Sequence, residues 1–293
     1  MATIAAQPTR PAPERSIGKT INRVLFWLLI LGILIYTIFP FYWAVITSFK
    51  PSGELFDTPV AYWPKTFTLE NYQAVLSNPD FLRALRNSAI TSLSTVLLSL
   101  VIGALAAYAL GRLRFRGKTL ILYLVLAMSM FPAIAILGSL YQMIIAVGLY
   151  NRIPALILAY MTFTLPFTVW VLTNFFRSLP GELEEAAFVD GATPMQTFRM
   201  VLLPLAAPGL VTTGLLAFIS AWNEYLFALT FTQDYAARTV PVAIASIGGR
   251  SQFELPWANL MAASIIVTIP LIILVLLFQR RIVAGLTAGA VKG

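Results

Sequence analysis

The long uncharged stretches of this sequence decide what it can fold into. Six stretches, each longer than 20 residues, carry no charged side chain or only one. The hydrocarbon core of a bilayer, about 30 Å thick, is crossed by about 20 apolar residues in helical form. The sequence therefore predicts an all-α integral membrane protein with six transmembrane helices, at residues 24–49, 87–111, 119–151, 153–176, 201–232 and 255–279.

The composition favours the same class and excludes several kinds of chemistry. The chain is 59% hydrophobic and 11% charged, with a mean hydropathy of +0.82. Soluble domains carry about 25% charged residues. The sequence contains no cysteine and no histidine, which excludes disulfides, thiolate nucleophiles, imidazole acid–base catalysis and metal sites built on those ligands.

The helices divide the chain into a membrane domain and two tails. Residues 1–20, which include TRPAPER, are predicted to be a disordered cytoplasmic tail. The first apolar stretch is too long for a signal peptide, whose apolar region has about 7–15 residues, so we expect a retained helix. The six-helix domain then covers residues 21–279, with a polar loop at 178–204, and a C-terminal tail follows at 280–293.

The distribution of basic residues predicts the orientation. Thirteen Lys and Arg residues fall on the side of the N-terminus and seven on the other side, and the segment GRLRFRGK at residues 111–118 alone carries four. Cytoplasmic loops of membrane proteins are enriched in Lys and Arg. We therefore expect a multi-pass protein of a bacterial inner or plasma membrane with both termini in the cytoplasm. The excess of Lys and Arg in the cytoplasmic segments accounts for the net charge of +8, so this charge does not indicate that the chain binds nucleic acid.

Local signals between residues 178 and 204 predict two short helices joined by a turn. Gly191 suits the left-handed residue that ends a helix. Thr193 and Gln196 have the spacing of a capping box, and Pro194 suits the first position of the second helix. The apolar side chains of the first helix would suit a protein contact. An amphipathic loop on the membrane surface would have the same pattern, and the local residues leave both interpretations open.

The spacing in this loop resembles the EAA loop of permease subunits of ATP-binding-cassette importers. The matching residues are Glu185, Ala186, Ala187, Gly191, Val201, Leu203 and Pro204. The family usually has isoleucine at the position of Val201. The resemblance implies that this EAA segment (residues 178–204), including Asp190, forms a coupling helix that docks on a cytoplasmic ATPase.

Other stretches resemble the maltose-type, carbohydrate-importing branch of these permeases. They are FTLENYQAVL (67–76), AWNEYLFALTF (221–231) and QRRIVAGLTAGAVKG (279–293). The branch implies a second permease subunit, an ATPase dimer and an extracytoplasmic sugar-binding protein as partners, besides membrane lipid. It also implies a disaccharide or short oligosaccharide as cargo; trehalose, maltose, a monosaccharide and a polyol all remain open.

The sequence offers no nucleotide-binding or catalytic motif of its own. Gly18, Lys19 and Thr20 match the end of a P-loop, but Pro13 stands where the first glycine is required. We therefore predict that the chain is not an enzyme, has no catalytic residues and no metal site, and binds no cofactor. ATP and Mg would be held by the partner ATPase.

Glu224 is the one charge inside a predicted span, and such a residue is a functional candidate by default. Its neighbours Trp222, Asn223 and Tyr225 suit contact with a sugar, so these four residues are candidates for the substrate path. A structural hydrogen bond of Glu224, or a place near the outer membrane surface, would explain the same residues. Trp and Tyr also anchor helices at membrane interfaces.

Glu224 also allows a different function. A secondary transporter driven by an ion gradient commonly uses intramembrane acids or histidines, and this chain offers Glu224 alone. A membrane-embedded enzyme would need a catalytic constellation that the sequence lacks. Gly103, Ala107 and Gly111 lie at helical spacing and predict close packing of the second helix.

Overall fold

The computed structural model describes residues 17–248 and 256–288, and within these ranges the chain is helical, with no strand. Of the predicted disordered tail (residues 1–20), residues 1–16 lie outside the described residues. Residues 17–20 belong to α1, which begins at Ile17. The last helix runs to Ala288, beyond the predicted start of the C-terminal tail at residue 280, and residues 289–293 lie outside the description. Lys, Arg and Gln have helix propensities close to those of good apolar helix formers, so helix ends need not coincide with the hydrophobic boundary.

Four helices are long and apolar enough to cross a membrane without interruption, which confirms the first, second, fourth and sixth predicted spans. They are α1 (Ile17–Ser48), α3 (Pro79–Arg112), α6 (Ile153–Ser178) and α13 (Trp257–Ala288). The short helix α2 (Glu70–Leu76) precedes α3. Asn78 caps α3, since its Oδ1 accepts the Asp80 N–H at 2.9 Å.

The third predicted span is not one helix. It consists of α4 (Lys118–Ser129) and α5 (Ala133–Ala146), whose axes differ by 94°. Pro132 lies in the break and directly precedes α5. Because proline has no N–H and disfavours helical geometry in the residue before it, a continuous helix through this point is disfavoured.

The fifth predicted span is also broken. A bent run from Pro194 to Leu205 meets α10 (Ala207–Trp222) at 74°. The prediction of one helix through Thr232 is wrong, because α10 ends at Trp222 and a separate helix, α11 (Leu226–Phe231), follows. Counting each bent pair as one span gives six. The remaining short elements are α7 (Glu182–Val189), α8 (Pro194–Thr197), a π-helical turn (Phe198–Leu202), α9 (Leu203–Leu205), α12 (Val240–Ala245) and a 3₁₀ turn (Ser52–Glu54).

The centre of the bundle is the close contact between α3 and α6. A Cβ placed on Gly103 would lie 2.6 Å from Thr168 Cγ2, and Ala107 is fully buried. Gly111 lies against Thr173 and Phe176. The predicted small-residue packing of the second span is therefore confirmed, and it draws the far end of α3 close to the end of α6, where the EAA segment begins.

Candidate functional site

The first helix of the EAA segment, α7, ends in a glycine turn. Gly191 has a φ of 82°. Its N–H donates to the Phe188 carbonyl at 3.0 Å, and the Ala192 N–H donates to the Ala187 carbonyl at 2.9 Å. This pair of bonds defines a Schellman motif, in which the left-handed position favours glycine. The predicted helix stop at Gly191 is confirmed.

The second helix of the segment, α8, begins with the predicted capping box. The Thr193 N–H donates to Gln196 Oε1 at 2.8 Å, while the Gln196 N–H donates to Thr193 Oγ1 at 3.4 Å. Pro194 occupies the first turn, where its missing N–H costs nothing. The direction of the chain on both sides of the turn is therefore determined by residues within the segment.

Arg112, the last residue of α3, binds the EAA segment through hydrogen bonds and an ion pair. Its guanidinium donates to the carbonyls of Leu179 and Pro180, at 3.1 Å each, and its Nε lies 2.9 Å from Glu184 Oε2. The Arg112 and Glu184 side chains are only 11% and 16% exposed. Sequence reasoning counted Arg112 only as a cytoplasmic charge and missed this contact. Its place at the end of α3 gave no signal of the distant partner.

Tyr108, one turn before Arg112 in α3, makes a second contact with the segment. Its hydroxyl donates to the Pro194 carbonyl at 3.2 Å. Its ring lies 4.9 Å from the ring of Phe198 and joins a buried cluster with Phe176 and Leu202. The two short helices therefore rest on α3 and α6 and are not free loops.

The opposite face of the segment is open. Glu185, Ala186, Asp190, Gly191 and Pro204 are exposed, Leu203 is half-buried, and Ala187 is buried. Large apolar side chains lie among the exposed ones: Val189 is 87% exposed, Met200 74% and Met195 58%. We call these exposed residues of the EAA segment, acidic and apolar together, the docking surface. Of the seven predicted docking residues, five lie on this surface, whereas Ala187 is buried and Leu203 packs against the buried cluster that contains Tyr108 and Phe176.

Glu224 does not lie inside a helix as predicted. It lies in the break between α10 and α11, and its two carboxylate oxygens accept the N–H groups of Phe227 at 2.8 Å and Ala228 at 3.1 Å. The charge therefore caps the first turn of α11, where the helix dipole favours an anion.

The neighbours of Glu224 face different surroundings. Trp222 is 3% exposed, and its Nε1 donates to the Val267 carbonyl of α13 at 3.3 Å. Its indole stacks on Phe218 at 5.4 Å. Asn223 is exposed and donates back to the Ile219 carbonyl at 2.8 Å, and Tyr225 is exposed. The four predicted path residues therefore do not form one group of converging side chains, and Trp222 belongs to helix packing.

Beyond α11 the chain is tied down by an asparagine. Asn151, at a φ of 57°, accepts the Gln233 N–H on its Oδ1 at 2.9 Å and donates its own N–H to the Phe231 carbonyl at 2.9 Å. Hydrogen bonds from the Ala236 N–H and from Asn151 lower the pKa of Asp234 below its ordinary value. The α11 helix is therefore held at both ends by polar side chains.

The comparisons with known proteins agree with this architecture. Residues 99–287 match the family described as binding-protein-dependent transport system inner membrane component. This range contains the EAA segment, Arg112 and Glu224.

Two relatives are 46% identical to the chain. The trehalose transport system permease protein SugB of Mycobacterium tuberculosis aligns over 93% of this chain and 99% of its own length. The trehalose/maltose transport system permease protein MalG of Thermococcus litoralis aligns over 91% and 96%. A third relative, 41% identical, is the sulfoquinovosyl glycerol transport system permease protein SmoH of Agrobacterium fabrum, over 89% and 91%.

Among solved structures, a chain of a bacterial ABC transporter that imports the acidic polysaccharide alginate has the same fold. It superposes with a TM-score of 0.80 over 92% of this chain and 99% of the other, at 21% sequence identity. Identity this low shows the fold alone, whereas the family match and the relatives show descent. The chain therefore belongs to the family of inner-membrane components of binding-protein-dependent transport systems.

Proposed function

We propose that this chain is the transmembrane subunit of an ATP-driven sugar importer, in which it forms half of the translocation path and receives the ATPase motion through the EAA segment. The observation that carries the proposal is the construction of that segment. Its back is fixed to α3 by Arg112 and Tyr108, while its front exposes acidic and apolar side chains together. Exposed apolar side chains such as Val189 and Met200 do not stabilise a free surface loop, whereas they are typical of a site that binds another protein.

The docking surface suits an ATPase subunit in the cytoplasm. Glu185 and Asp190 are available for basic residues of a partner, and Val189, Met195 and Met200 are available for an apolar groove. Buried apolar anchors within a polar rim are what protein interfaces use for affinity. Because Arg112 and Tyr108 hold the same segment, a push on the docking surface is transmitted directly to α3.

The remaining partners and the orientation follow from this assignment. Both termini lie in the cytoplasm, a second permease subunit completes the path, and an extracytoplasmic binding protein delivers the sugar. ATP and Mg are held by the ATPase dimer, so this chain needs no cofactor. The basic residues on the side of the EAA segment support this orientation.

Trehalose or maltose is the sugar class we propose. The two relatives at 46% identity are named for trehalose and for trehalose and maltose, and others for further glycosides. The similarity is to importer permeases throughout, and no observation favours an ion-gradient-driven transporter.

The test is the composition of the complex extracted from membranes through a tag on this chain. A second permease and an ATPase should purify with it, and ATP hydrolysis in proteoliposomes should rise when binding protein and trehalose or maltose are added. A chain that purifies alone, and moves sugar only when a proton or sodium gradient is imposed, would refute the proposal.

A further inference from the structure

A cavity of about 220 Å³ lies among α4, α6 and α10, near the middle of α6. Its lining consists of Ser129, Phe163, Thr164, Phe167, Ala217 and Ser220. The break between α4 and α5 begins directly after Ser129. Non-helical backbone at membrane depth is tolerated where it is buried in protein or lines a water-filled cavity, and transporter sites often lie beside broken helices.

The hydroxyls of this cavity are arranged as hydrogen-bond acceptors. Ser129 Oγ donates to the Leu126 carbonyl at 2.7 Å and Ser220 Oγ to the Leu216 carbonyl at 3.0 Å. Thr164 is buried, and its Oγ1 donates to the Tyr160 carbonyl at 2.9 Å and lies 2.8 Å from Ser99 Oγ, so this hydroxyl is already paired within the protein. A hydroxyl whose proton is engaged keeps lone pairs for another donor. Ser129 and Ser220 therefore offer acceptors to a ligand that presents O–H groups.

The other lining groups select against charge. Phe163 and Phe167 offer apolar ring surface, and none of the six lining residues is ionisable. The Phe163 ring is held in place by Phe227, whose centroid lies 6.4 Å away at an interplanar angle of 9°. An anionic ligand would find no cation to pair with here, whereas the C–H face of a neutral sugar ring can lie against an aromatic ring.

We propose that this cavity is the place where this subunit contacts the transported sugar, and that it takes one neutral, polyhydroxylated ring. The inference rests on the proposed importer function and names the residues that line the path. The volume is below the roughly 300–1,000 Å³ of pockets for drug-sized ligands, so the second permease subunit completes the site. Glu224 is connected to the cavity through α11. Its carboxylate caps this helix, and the ring of Phe227 in the helix stacks on the ring of Phe163 in the cavity lining.

Substituted-cysteine labelling tests the inference, because the chain has no cysteine of its own. In the complete complex in proteoliposomes, Ser220→Cys is treated with a hydrophilic methanethiosulfonate reagent during ATP turnover, with and without trehalose. Ser264→Cys is the control, since Ser264 Oγ makes the same kind of bond, to the Leu260 carbonyl at 2.8 Å, in α13. We expect modification of Ser220→Cys only, slowed about threefold or more by trehalose, because protection grows as one plus the ratio of ligand to Kd.

A second pair of variants measures what the hydroxyls contribute. Ser129→Ala/Ser220→Ala should lower trehalose uptake per ATP hydrolysed by about tenfold, as expected for two lost neutral hydrogen bonds. The matched control is Ser246→Ala/Ser264→Ala. Ser246 donates to the Val242 carbonyl at 2.8 Å, four residues back, as Ser220 does to Leu216. The control variant should keep the wild-type ratio.

Two results would overturn the inference. One is an active Ser220→Cys complex whose modification is no faster than that of Ser264→Cys or is unaffected by trehalose. The other is an unchanged ratio of uptake to hydrolysis in Ser129→Ala/Ser220→Ala. A wild-type complex that takes up neither trehalose nor maltose would instead refute the proposed sugar import itself, and it would be seen before any variant is made.

Discussion

The EAA segment and the stretch from Trp222 to Phe231 have the same order of secondary structure, but the first exposes much of its surface and the second contacts the rest of the helix bundle. Each has a helix, a short break and a second helix, and each contains an acidic residue that makes an internal contact. In the EAA segment Glu184, in the first turn of α7, pairs with Arg112 of α3, while the docking surface is exposed. In the other stretch Glu224 bonds the backbone of its own next helix, and Trp222 is buried against α13.

The difference shows how a membrane chain uses charge. Near the bilayer, an acid is tolerated when backbone donors surround it, and Glu224 meets two of them. Outside the bilayer, acids can stay solvated beside apolar groups, and such a mixed surface is suited to a protein partner. The same element type thus serves internal architecture in one region and, in our proposal, the docking of an ATPase in the other.

The largest effect should come from Gly191→Trp, which forces a bulky residue into a left-handed turn on the docking surface. The backbone strain alone is about 1–2 kcal/mol, and the indole covers exposed residues. We expect sugar uptake and ATPase co-purification to fall at least about tenfold. Gly191→Asn, which tolerates this backbone conformation, is the control and should retain most activity. Normal uptake by the Trp variant would count against docking at this turn.

Arg112→Gln should have the next largest effect. The substitution breaks the pairing with Glu184 and weakens the hydrogen bonds to two carbonyls. Loss of one partner of a fully buried charge pair costs about 3–5 kcal/mol, and this pair is mostly buried, so we expect a cost below that range. ATP hydrolysis by the complex should then no longer respond to the sugar-loaded binding protein. A double-mutant cycle with Glu184→Gln should yield a coupling energy of about 1 kcal/mol or more in thermal unfolding. Additive effects of the two changes would show that the pair does not hold the segment.

Replacement of Glu224 should destabilise the complex moderately. Glu224→Ala removes both acceptors of the α11 cap, worth about 0.5–2 kcal/mol, whereas Glu224→Gln keeps one. The melting temperature of the purified complex should therefore fall more for Glu224→Ala than for Glu224→Gln. If Glu224→Gln is as stable as wild type but no longer transports, the carboxylate acts on the path and the capping role is insufficient.

The smallest effect should come from Tyr108→Phe. The change removes the long bond to the Pro194 carbonyl but keeps the ring against Phe198, so we expect a loss of about 1 kcal/mol or less. Tyr108→Ala also removes the ring and should lower the melting temperature much further. Equal effects of the two substitutions would mean that the hydroxyl, not the ring, secures the segment.

Local signals made parts of the structure predictable. The glycine stop at Gly191 and the capping box from Thr193 to Gln196 act over a few residues, so their spacing is enough to predict them. Four uninterrupted spans also follow from length and apolarity alone. The break at Pro132 and the end of α10 at Trp222 depend on what the surrounding helices offer the freed backbone groups, and apolar composition alone does not reveal them.

Contacts across long sequence distances could not be predicted. Arg112 and Leu179 are brought together by the packing of α3 on α6, and Ser129 of α4 lines the same cavity as Ser220 of α10. The residues around Glu224 attracted attention because charge is rare in a span. The hydroxyls of the cavity are ordinary residues of membrane helices and carry no such signal.

The most direct test of the docking surface is the same substitution at two exposed valines. Val189 is 87% exposed on the EAA segment, and Val60 is 55% exposed in the segment between α1 and α2. Tagged chains carrying Val189→Glu or Val60→Glu are purified from membranes, and the bound ATPase is quantified. Our account predicts that Val189→Glu loses the ATPase while Val60→Glu retains it. Equal, full amounts of ATPase on both variants would contradict it.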